Sequence, residues 1–289
     1  MSSLFVVSSI QRKTDFIHQA AESIVAEADV HCHLLPAWDD GPRTLNESLR
    51  MAERAAETGL KTILVTPHVG RSFGDRAERA ARDIPAATAE LEREIRARGI
   101  DITLVPGAEL TLSLSNLVER VASEPWLTIG GQGQYVLLES AYHIWPDHAE
   151  QLLYQLSLRG ITTIIAHPER YSNVQQNPRL LEKAVERGAL LQITARSLVG
   201  QDERATKQCS LRLLKAGLVS LVSSDAHSAR GTLPGEVAME IASVVGEAAA
   251  RTILVDMPRL VLAGKPAPPP PLPEVSHTKG LAFWPFRRP

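Results

Sequence analysis

Short apolar runs alternate with longer segments of helical periodicity along most of the chain. The runs have the length of strands and many β-branched residues, whereas the longer segments repeat apolar residues every three to four positions. The runs predict seven strands, at residues 29–33, 61–66, 102–107, 135–139, 162–166, 190–194 and 218–223. The longer segments predict helices, among them residues 45–58, 77–98 and 178–187.

Residues at the ends of these segments support the division. Thr44 and Glu47 have the spacing of a capping box, which predicts that the first helix begins there. A glycine stands between a predicted helix and the next strand at Gly59, Gly99, Gly160, Gly188 and Gly217. Glycine readily adopts the left-handed conformation that ends a helix. Strand, helix, glycine and strand in this order indicate parallel βα units.

The position of the polar residues favours a closed barrel over an open sheet. A His, Asp or Glu lies at the C-terminal end of six of the seven predicted strands. A barrel gathers the C-terminal strand ends into one ring, whereas an open sheet spreads them along a line. We therefore predict a seven-unit α/β barrel at residues 29–264.

The segments that flank this barrel differ from it in composition. Residues 1–28 predict an N-terminal extension with a helix at about residues 15–27. Residues 265–273 read KPAPPPPLP, which favours polyproline II and cannot join a sheet. We predict a flexible tail at residues 265–289, with a docking peptide as the alternative.

Composition restricts the classes of function and the compartment. Hydrophobic residues make up 44% and charged residues 22% of 289 residues, as in ordinary globular proteins. The formal net charge of −2 provides no overall basic field for nucleic acid. No segment has the roughly 20 apolar residues of a transmembrane helix. Cys32 and Cys209 follow no disulfide spacing, so we expect a reducing, cytoplasmic location.

The residues at the strand ends predict a metal centre. Residues two apart in a strand point the same way, so His31 and His33 can bind one ion. Asp225 and His227 repeat this spacing after the last predicted strand. A mixture of imidazole and carboxylate ligands suits zinc, manganese or iron better than calcium. Two such pairs together with single residues on four other strands are difficult to explain without a metal.

Five short motifs resemble the polymerase and histidinol phosphatase (PHP) superfamily. They are His31-Cys32-His33, Thr66-Pro67-His68, Gly107-Ala108-Glu109, Ala166-His167-Pro168 and Ser224-Asp225-Ala226-His227. The strings HCHLLPAWDDG, VLLES and AHPERY are similar to the capsule-biosynthesis (CpsB-like) branch, the manganese-dependent tyrosine-protein phosphatases. The resemblance spans about residues 29–262 and implies a distorted (β/α)7 barrel.

The resemblance also implies a set of metal ligands and catalytic residues. Three divalent ions are expected, with manganese preferred and iron or zinc as alternatives. The implied ligands are His31, His33, Asp40, His68, Glu109, Glu139, His167, Asp225 and His227, with Glu109 shared between two ions. Arg170 is the implied phosphate-binding residue, and its planar guanidinium suits phosphate oxygens. We take Arg170, His68 and Asp40 as catalytic residues, and Arg230 and Arg71 as further candidates for phosphate contact.

The function expected from this resemblance is that of a protein-tyrosine phosphatase in capsule or exopolysaccharide biosynthesis. A metal-activated hydroxide would attack the phosphorus. The expected partner is a phosphotyrosine protein, the C-terminal tail of a tyrosine kinase, and a homo-oligomer is left open. The alternatives are a PHP phosphatase for histidinol phosphate or a nucleotide, a metal-dependent amidohydrolase, or an inert scaffold with an adaptor tail.

A cysteine-dependent phosphatase does not fit the sequence. That chemistry requires a cysteine, five residues and then an arginine. Trp38 and Lys215 occupy the arginine position after Cys32 and Cys209, respectively. We therefore exclude a cysteine nucleophile.

Overall fold

Parallel strands form the centre of the protein, and helices connect them in sequence. The computed structural model describes residues 24–71, 80–140 and 143–274. The strands are β1 (Ala28–Cys32), β2 (Thr62–Val65), β3 (His68–Val69), β4 (Thr103–Pro106), β5 (Glu109–Thr111), β6 (Tyr135–Glu139), β7 (Thr162–Ala166), β8 (Leu190–Thr194) and β9 (Val219–Ser223). Each of the seven predicted strands is present, while β3 and β5 were not expected.

The strands form two parallel sheets. One has the order β1-β2-β4 and the other has the order β3-β5-β6-β7-β8-β9. Two residues that belong to neither strand separate β2 from β3, and two such residues separate β4 from β5. The first break contains Pro67, which has no backbone N–H to donate. The second contains Gly107, where a Cβ would lie 2.9 Å from Leu64 Cδ1.

The first and last strands approach each other at their C-terminal ends. The Asp225 N–H donates to the His31 carbonyl oxygen at 2.9 Å, and the His33 N–H donates to the Ala226 carbonyl oxygen at 3.0 Å. A parallel bridge joins Cys32 and Ala226. These bonds place the end of β1 beside the segment that follows β9.

Helices lie between the strands along the chain. They are α1 (Leu45–Glu57), α2 (Ile84–Ala97), α3 (Leu117–Ser123), α4 (Ala149–Ser157), α5 (Ser172–Gln176), α6 (Glu182–Glu186), α7 (Ala195–Val199), α8 (Arg204–Lys215), α9 (Ala238–Val245), α10 (Glu247–Arg251) and α11 (Met257–Leu262). A π-helical turn, Thr252–Asp256, separates α10 from α11. Within the described ranges, no helix combines the length and apolar content that crossing a bilayer requires.

The predicted helix start at Thr44 is confirmed, and two other helices are shorter than predicted. Thr44 Oγ1 accepts from the Glu47 N–H at 3.3 Å, and Glu47 Oε2 accepts from the Thr44 N–H at 3.2 Å. α2 begins at Ile84 rather than residue 77, because Pro85 favours the first helical turn; residues 77–79 lie outside the described chain. The predicted helix at residues 178–187 is divided into a 3-10 turn, Pro178–Leu181, and α6.

The glycines that were predicted to end helices have the expected backbone conformation. Their φ angles lie between 66° and 94°, for Gly59, Gly99, Gly160, Gly188 and Gly217. An L-residue with a side chain is strained in this region. The predicted glycine C-caps are therefore confirmed.

The flanking segments are only partly described. Residues 24–27 are not helical, and the Glu27 carbonyl oxygen accepts from the Lys61 and Thr62 N–H groups at 2.7 and 3.0 Å. Extended backbone thus leads into β1, and the rest of the predicted helix at residues 15–27 lies outside the described residues. Residues 265–274 contain neither helix nor strand, and the Glu274 N–H donates to the Val245 carbonyl oxygen at 2.9 Å. Residues 275–289 lie outside the described chain.

A smaller apolar cluster packs against one face of the strands. It contains alternate strand residues, such as Val30, Leu137 and Leu221, which all lie on one face of their strands. Met257 and Val261 of α11 pack against this cluster. The polar residues instead collect at the C-terminal strand ends. The apolar cluster therefore supports the site from the side of the N-terminal strand ends.

Candidate metal centre

The nine predicted metal ligands come together at the C-terminal ends of the strands. They lie in six strands or in the segments that follow these strands, and seven of them are buried: His31, His33, His68, Glu109, Glu139, His167 and Asp225. Asp40 and His227 are more accessible, with side-chain exposures of 44% and 31%. The partly open side of the cluster is therefore the side of Asp40 and His227.

The first group of donor atoms is the most buried. The Nε2 atoms of His31 and His33 lie 3.3 Å apart, and each lies 3.3 Å from Asp225 Oδ1. Each is also 3.4 Å from an oxygen of Glu109. Two imidazole nitrogens and two carboxylates therefore face one point.

Two further groups share residues with the first. His68 Nδ1 lies 2.9 Å from Glu109 Oε2 and 3.3 Å from Glu139 Oε1. Asp40 Oδ1 lies 3.1 Å from His227 Nε2 and 3.5 Å from His68 Nε2. Glu109 thus stands between the first and second groups, and His68 stands between the second and third.

His167 extends the second group. Its Nε2 lies 2.8 Å from Glu109 Oε1 and 4.0 Å from Glu139 Oε2. Its backbone has a φ of 34°, in the left-handed region that residues with side chains rarely adopt. Asp225 has a φ of 52°. Unusual backbone at both residues indicates that the strand ends turn sharply to direct these side chains inward.

Hydrogen bonds determine which nitrogen of His31 and His33 faces the cluster. His31 Nδ1 lies 2.8 Å from Gln192 Oε1, while Gln192 Nε2 donates to the Ile193 carbonyl oxygen at 2.8 Å. His33 Nδ1 lies 2.7 Å from Asp39 Oδ2. Because both partners are acceptors, each Nδ1 must carry a proton. When Nε2 gives up its proton, its lone pair points toward the cluster, as a metal ligand requires.

The third group contains a histidine that is held in the same way. His227 Nδ1 donates to the carbonyl oxygen of Asp225 at 2.9 Å, so its Nε2 faces Asp40. The ring of His227 also stacks on that of His33, with centroids 4.0 Å apart. The backbone and the neighbouring ring thus fix both the tautomer and the plane of His227.

Buried charges of opposite sign shift the pKa values across the site. Burial alone would raise the pKa of Glu109, but His31 and His68 hold it well below its usual range. For Asp225, His31, His33 and Arg170 outweigh burial and likewise lower the pKa well below its usual range. The carboxylates are therefore ionised and available as ligands.

The arrangement of donors fits divalent cations. Glu109 Oε2 accepts no hydrogen bond of normal geometry, although it is buried and has His68 Nδ1 at 2.9 Å. Imidazole lone pairs and carboxylate oxygens at about 3.3 Å repel one another unless a proton or a cation lies between them. The nitrogen and oxygen donors are those preferred by manganese, iron and zinc.

Arg170 and Arg71 contact carboxylates of the cluster directly. Arg170 Nη1 donates to Asp225 Oδ2 at 2.6 Å, and its side chain is 22% exposed. Arg71 Nη1 lies 3.1 Å from both oxygens of Glu139. Arg230 is exposed and makes no ion pair with any described member of the cluster. The prediction of a phosphate contact is thus spatially reasonable for Arg170 and Arg71.

Sequence reasoning missed the residues that orient the histidines. Asp39 accepts from His33, from the His68 N–H at 2.9 Å and from the Gly41 N–H at 3.0 Å. Gln192 is a buried polar residue in the middle of β8, between Leu191 and Ile193. That isolated polar residue was the available signal, because β8 was the only predicted strand region without a candidate ligand.

A second missed group supports the loops that carry Arg170 and Asp225. Asp29 accepts from Ser224 Oγ at 2.5 Å and from the Ser224 N–H at 3.0 Å, and burial raises its pKa to about 6. Glu169 Oε1 accepts from the Thr194 N–H and Oγ1, both at 2.8 Å. These buried carboxylates tie the loops after β7 and β9 to β8 and β1.

Comparison with known proteins gives relatives that are similar in sequence over most of the chain. The tyrosine-protein phosphatase YwqE of Bacillus subtilis is 37% identical over 202 residues, which cover 70% of this chain and 78% of that protein. The tyrosine-protein phosphatase CpsB of Streptococcus pneumoniae is 25% identical over 241 residues, which cover 81% and 97% of the two chains.

Solved structures agree with the sequence comparison. A chain from a crystallographic study of YwqE and CpsB, described there as metal-dependent tyrosine phosphatases, superimposes with a TM-score of 0.77 and 32% identity. The match covers 86% of this chain and all of that one. A lactonase from Listeria monocytogenes matches with a TM-score of 0.55 and 14% identity, which shows a shared fold alone.

The sequence model of one family covers most of the chain. Its description is "Capsular polysaccharide synthesis, CpsB/CapC", and it matches residues 27–263. The matched range includes every strand and every residue of the three donor groups. The resemblance to the capsule-biosynthesis branch is confirmed, and the chain belongs to the CpsB/CapC family of capsular polysaccharide synthesis.

Proposed function

We propose that this chain is a metal-dependent protein-tyrosine phosphatase. The observation that carries this proposal is the convergence of three His and carboxylate groups beside Arg170. The similar proteins YwqE and CpsB are both named tyrosine-protein phosphatases, which supports the same activity. A phosphomonoester is the substrate class that such a site suits best, because cations and an arginine together can neutralise a phosphoryl group.

We assign the donors to three divalent cations, with manganese as the preferred metal. The first cation would be held by His31, His33, Glu109 and Asp225; the second by Glu109, Glu139 and His167, with His68 adjacent; the third by Asp40, His68 and His227. Bound cations would supply positive charge to the phosphoryl oxygens and lower the pKa of water at the site. Cys32 takes no part, because its Sγ faces the Ala226 carbonyl oxygen at 3.7 Å.

The chain's own residues would orient the substrate. Asp225 holds one nitrogen of Arg170 and leaves the remaining N–H groups of the guanidinium for phosphate oxygens. The partial exposure of Arg170, Asp40 and His227 marks the side from which the phosphoryl group enters. A tyrosine phenolate is a good leaving group, so a dedicated proton donor is less important for this substrate.

The same proposal covers the shape of the fold and the biological setting. We propose that the bonds between the end of β1 and the segment after β9 close the strands into a distorted (β/α)7 barrel. The substrate would be a phosphotyrosine protein, such as the C-terminal tail of a tyrosine kinase in capsule or exopolysaccharide biosynthesis. Two buried free cysteines fit a cytoplasmic location.

The test is a metal-dependent phosphatase assay on the whole chain. Protein treated with a chelator and reloaded with Mn²⁺ is expected to hydrolyse a phosphotyrosine peptide, and Glu109→Gln is expected to lose both turnover and Mn²⁺ binding. Glu53→Gln, on the exposed face of α1, is the charge-matched control and should retain both. Histidinol phosphate and a nucleoside monophosphate are tested in parallel. Faster turnover of either small substrate would reject a protein substrate.

A further inference from the structure

Two arginines contact carboxylates of the candidate metal centre, but they do so differently. Arg170 Nη1 donates to one oxygen of Asp225, Oδ2, at 2.6 Å. The other oxygen, Oδ1, faces His31 and His33 at 3.3 Å and stays available to a cation. Arg170 and a cation can therefore use Asp225 at the same time.

Arg71, in contrast, occupies both oxygens of Glu139 and leaves neither of them available to a cation. Its Nη1 lies 3.1 Å from Oε1 and 3.1 Å from Oε2, so it sits between the two oxygens. The same nitrogen lies 3.4 Å from His68 Nε2. A cation that used Glu139 through both oxygens would occupy the same position, and two positive charges at one position repel each other strongly.

The backbone before Arg71 holds the arginine at this place. Gly70 has a φ of 86°, and a Cβ on it would lie 2.7 Å from Thr111 Cγ2. Gly70 therefore turns the chain tightly against β5, and Arg71 follows at the edge of the cluster. Its side chain is 30% exposed while that of Glu139 is 2% exposed, so the arginine can move outward but the carboxylate cannot.

We propose that Arg71 is an exchangeable counter-cation of Glu139. In the metal-free protein its guanidinium neutralises the carboxylate. When a cation binds Glu139, the guanidinium moves to the oxygens of the phosphoryl group. This inference rests on the proposed function, since it needs both a cation and a phosphate at the site.

The exchange links metal binding to substrate binding. A phosphate that attracts Arg71 away from Glu139 makes the carboxylate available, and therefore increases the affinity for the cation. By thermodynamic reciprocity the cation must increase the affinity for phosphate by the same factor. Removal of Arg71 should increase the affinity for the cation without phosphate, because no exchange is then needed.

The experiment measures Mn²⁺ affinity on chelator-treated full-length protein. In Arg71→Gln the Mn²⁺ site that contains Glu139 should bind about tenfold more tightly than in the wild type, a coupling within the range usual for linked sites. Arg50→Gln, which removes an exposed positive charge from α1, should leave the affinity unchanged. Inorganic phosphate should tighten Mn²⁺ binding in the wild type, and less so in Arg71→Gln.

A double-mutant comparison tests whether Arg71 lowers Mn²⁺ affinity through its contact with Glu139 or through general repulsion between its positive charge and the cation. In a Glu139→Gln background, Arg71→Gln should give no gain in Mn²⁺ affinity, because no carboxylate remains to be released. A gain of equal size in that background would overturn the exchange, and so would a loss of Mn²⁺ affinity in the single Arg71→Gln variant. Turnover of a phosphotyrosine peptide by the Mn²⁺-loaded wild type is measured in parallel. Its absence would reject the proposed function, whereas turnover with unchanged Mn²⁺ affinity in Arg71→Gln would overturn the exchange alone.

Discussion

Replacement of Asp39 by asparagine tests whether the residues behind the histidines determine metal binding. Asp39 accepts three hydrogen bonds, from His33 Nδ1, the His68 N–H and the Gly41 N–H. Asparagine has the same shape but offers one acceptor oxygen. If that oxygen takes the place of Oδ2, the side-chain NH2 group must face the Gly41 N–H.

The structure sets the size of the expected effect. A hydrogen bond to a charged group contributes about 1.5–3 kcal/mol, and a buried donor left without an acceptor costs about 1–3 kcal/mol. We therefore expect Asp39→Asn to lower the free energy of unfolding of the metal-free protein by about 2–4 kcal/mol. Loss of the partner that orients a ligand histidine should also lower Mn²⁺ affinity about 10–100-fold.

Two measurements check this expectation on chelator-treated protein. Denaturant unfolding gives the stability, and competition with a chromogenic chelator gives the Mn²⁺ affinity. Asp101→Asn is the matched control, because Asp101 is exposed and pairs with Lys61 on the surface. Mn²⁺ affinity within twofold of the wild type in Asp39→Asn would refute the idea that Asp39 orients His33 as a ligand.

Three further predictions concern His68, Gly41 and Tyr171, which lie in or next to the candidate metal centre. Burial would lower the pKa of His68, but Glu109 outweighs it and raises that pKa to about 9. The stabilisation from protonated His68 is therefore complete below about pH 6.5 and lost as pH rises through 9, on the order of 3 kcal/mol. Thermal melts should show that the metal-free protein becomes less stable as pH rises over this range. The added stability from Mn²⁺ should increase with pH, because protons compete with the cation. If the stabilities of the metal-free and Mn²⁺-loaded proteins changed with pH in parallel, this expectation would be contradicted. Gly41→Ala should reduce Mn²⁺ affinity in the same titration, since a Cβ there would lie 2.7 Å from the His33 carbonyl oxygen, and unchanged affinity would show that the loop relaxes freely. Tyr171→Phe should cost about 1–2 kcal/mol in denaturant unfolding, because the hydroxyl donates to the Ala166 carbonyl oxygen and accepts from the Ser140 N–H; an unchanged midpoint would count against it.

Local sequence patterns were sufficient to predict the strands but not their exact pairing. Three predicted strands, Tyr135–Glu139, Thr162–Ala166 and Leu190–Thr194, have the observed bounds because their apolar runs end at polar residues. β3 and β5 were missed because each contains only two or three residues after a break in the ladder. Strand propensity over so short a segment carries little information, and the pairing of β3 with β5 is a tertiary contact.

That missed pairing determines part of the site. His68 of β3 is the direct partner of Glu109 of β5, and Thr111 of β5 is the partner of Glu139 of β6. Parallel neighbours in register lie about 5 Å apart, so one side chain can reach the next. The motifs identified the ligands, whereas the register determines that Glu109 stands between two groups.

The histidine partners differ in charge, and this difference should make the donors unequal. His33 donates to a carboxylate, Asp39, whereas His31 donates to a neutral amide, Gln192. An imidazole whose Nδ1–H faces a negative charge is the more basic ligand through its other nitrogen. His33 also lies in both the first and the third donor groups. The charged partner Asp39 therefore lies behind the histidine that two donor groups share, while the neutral partner Gln192 lies behind His31, whose donor atom belongs to one group.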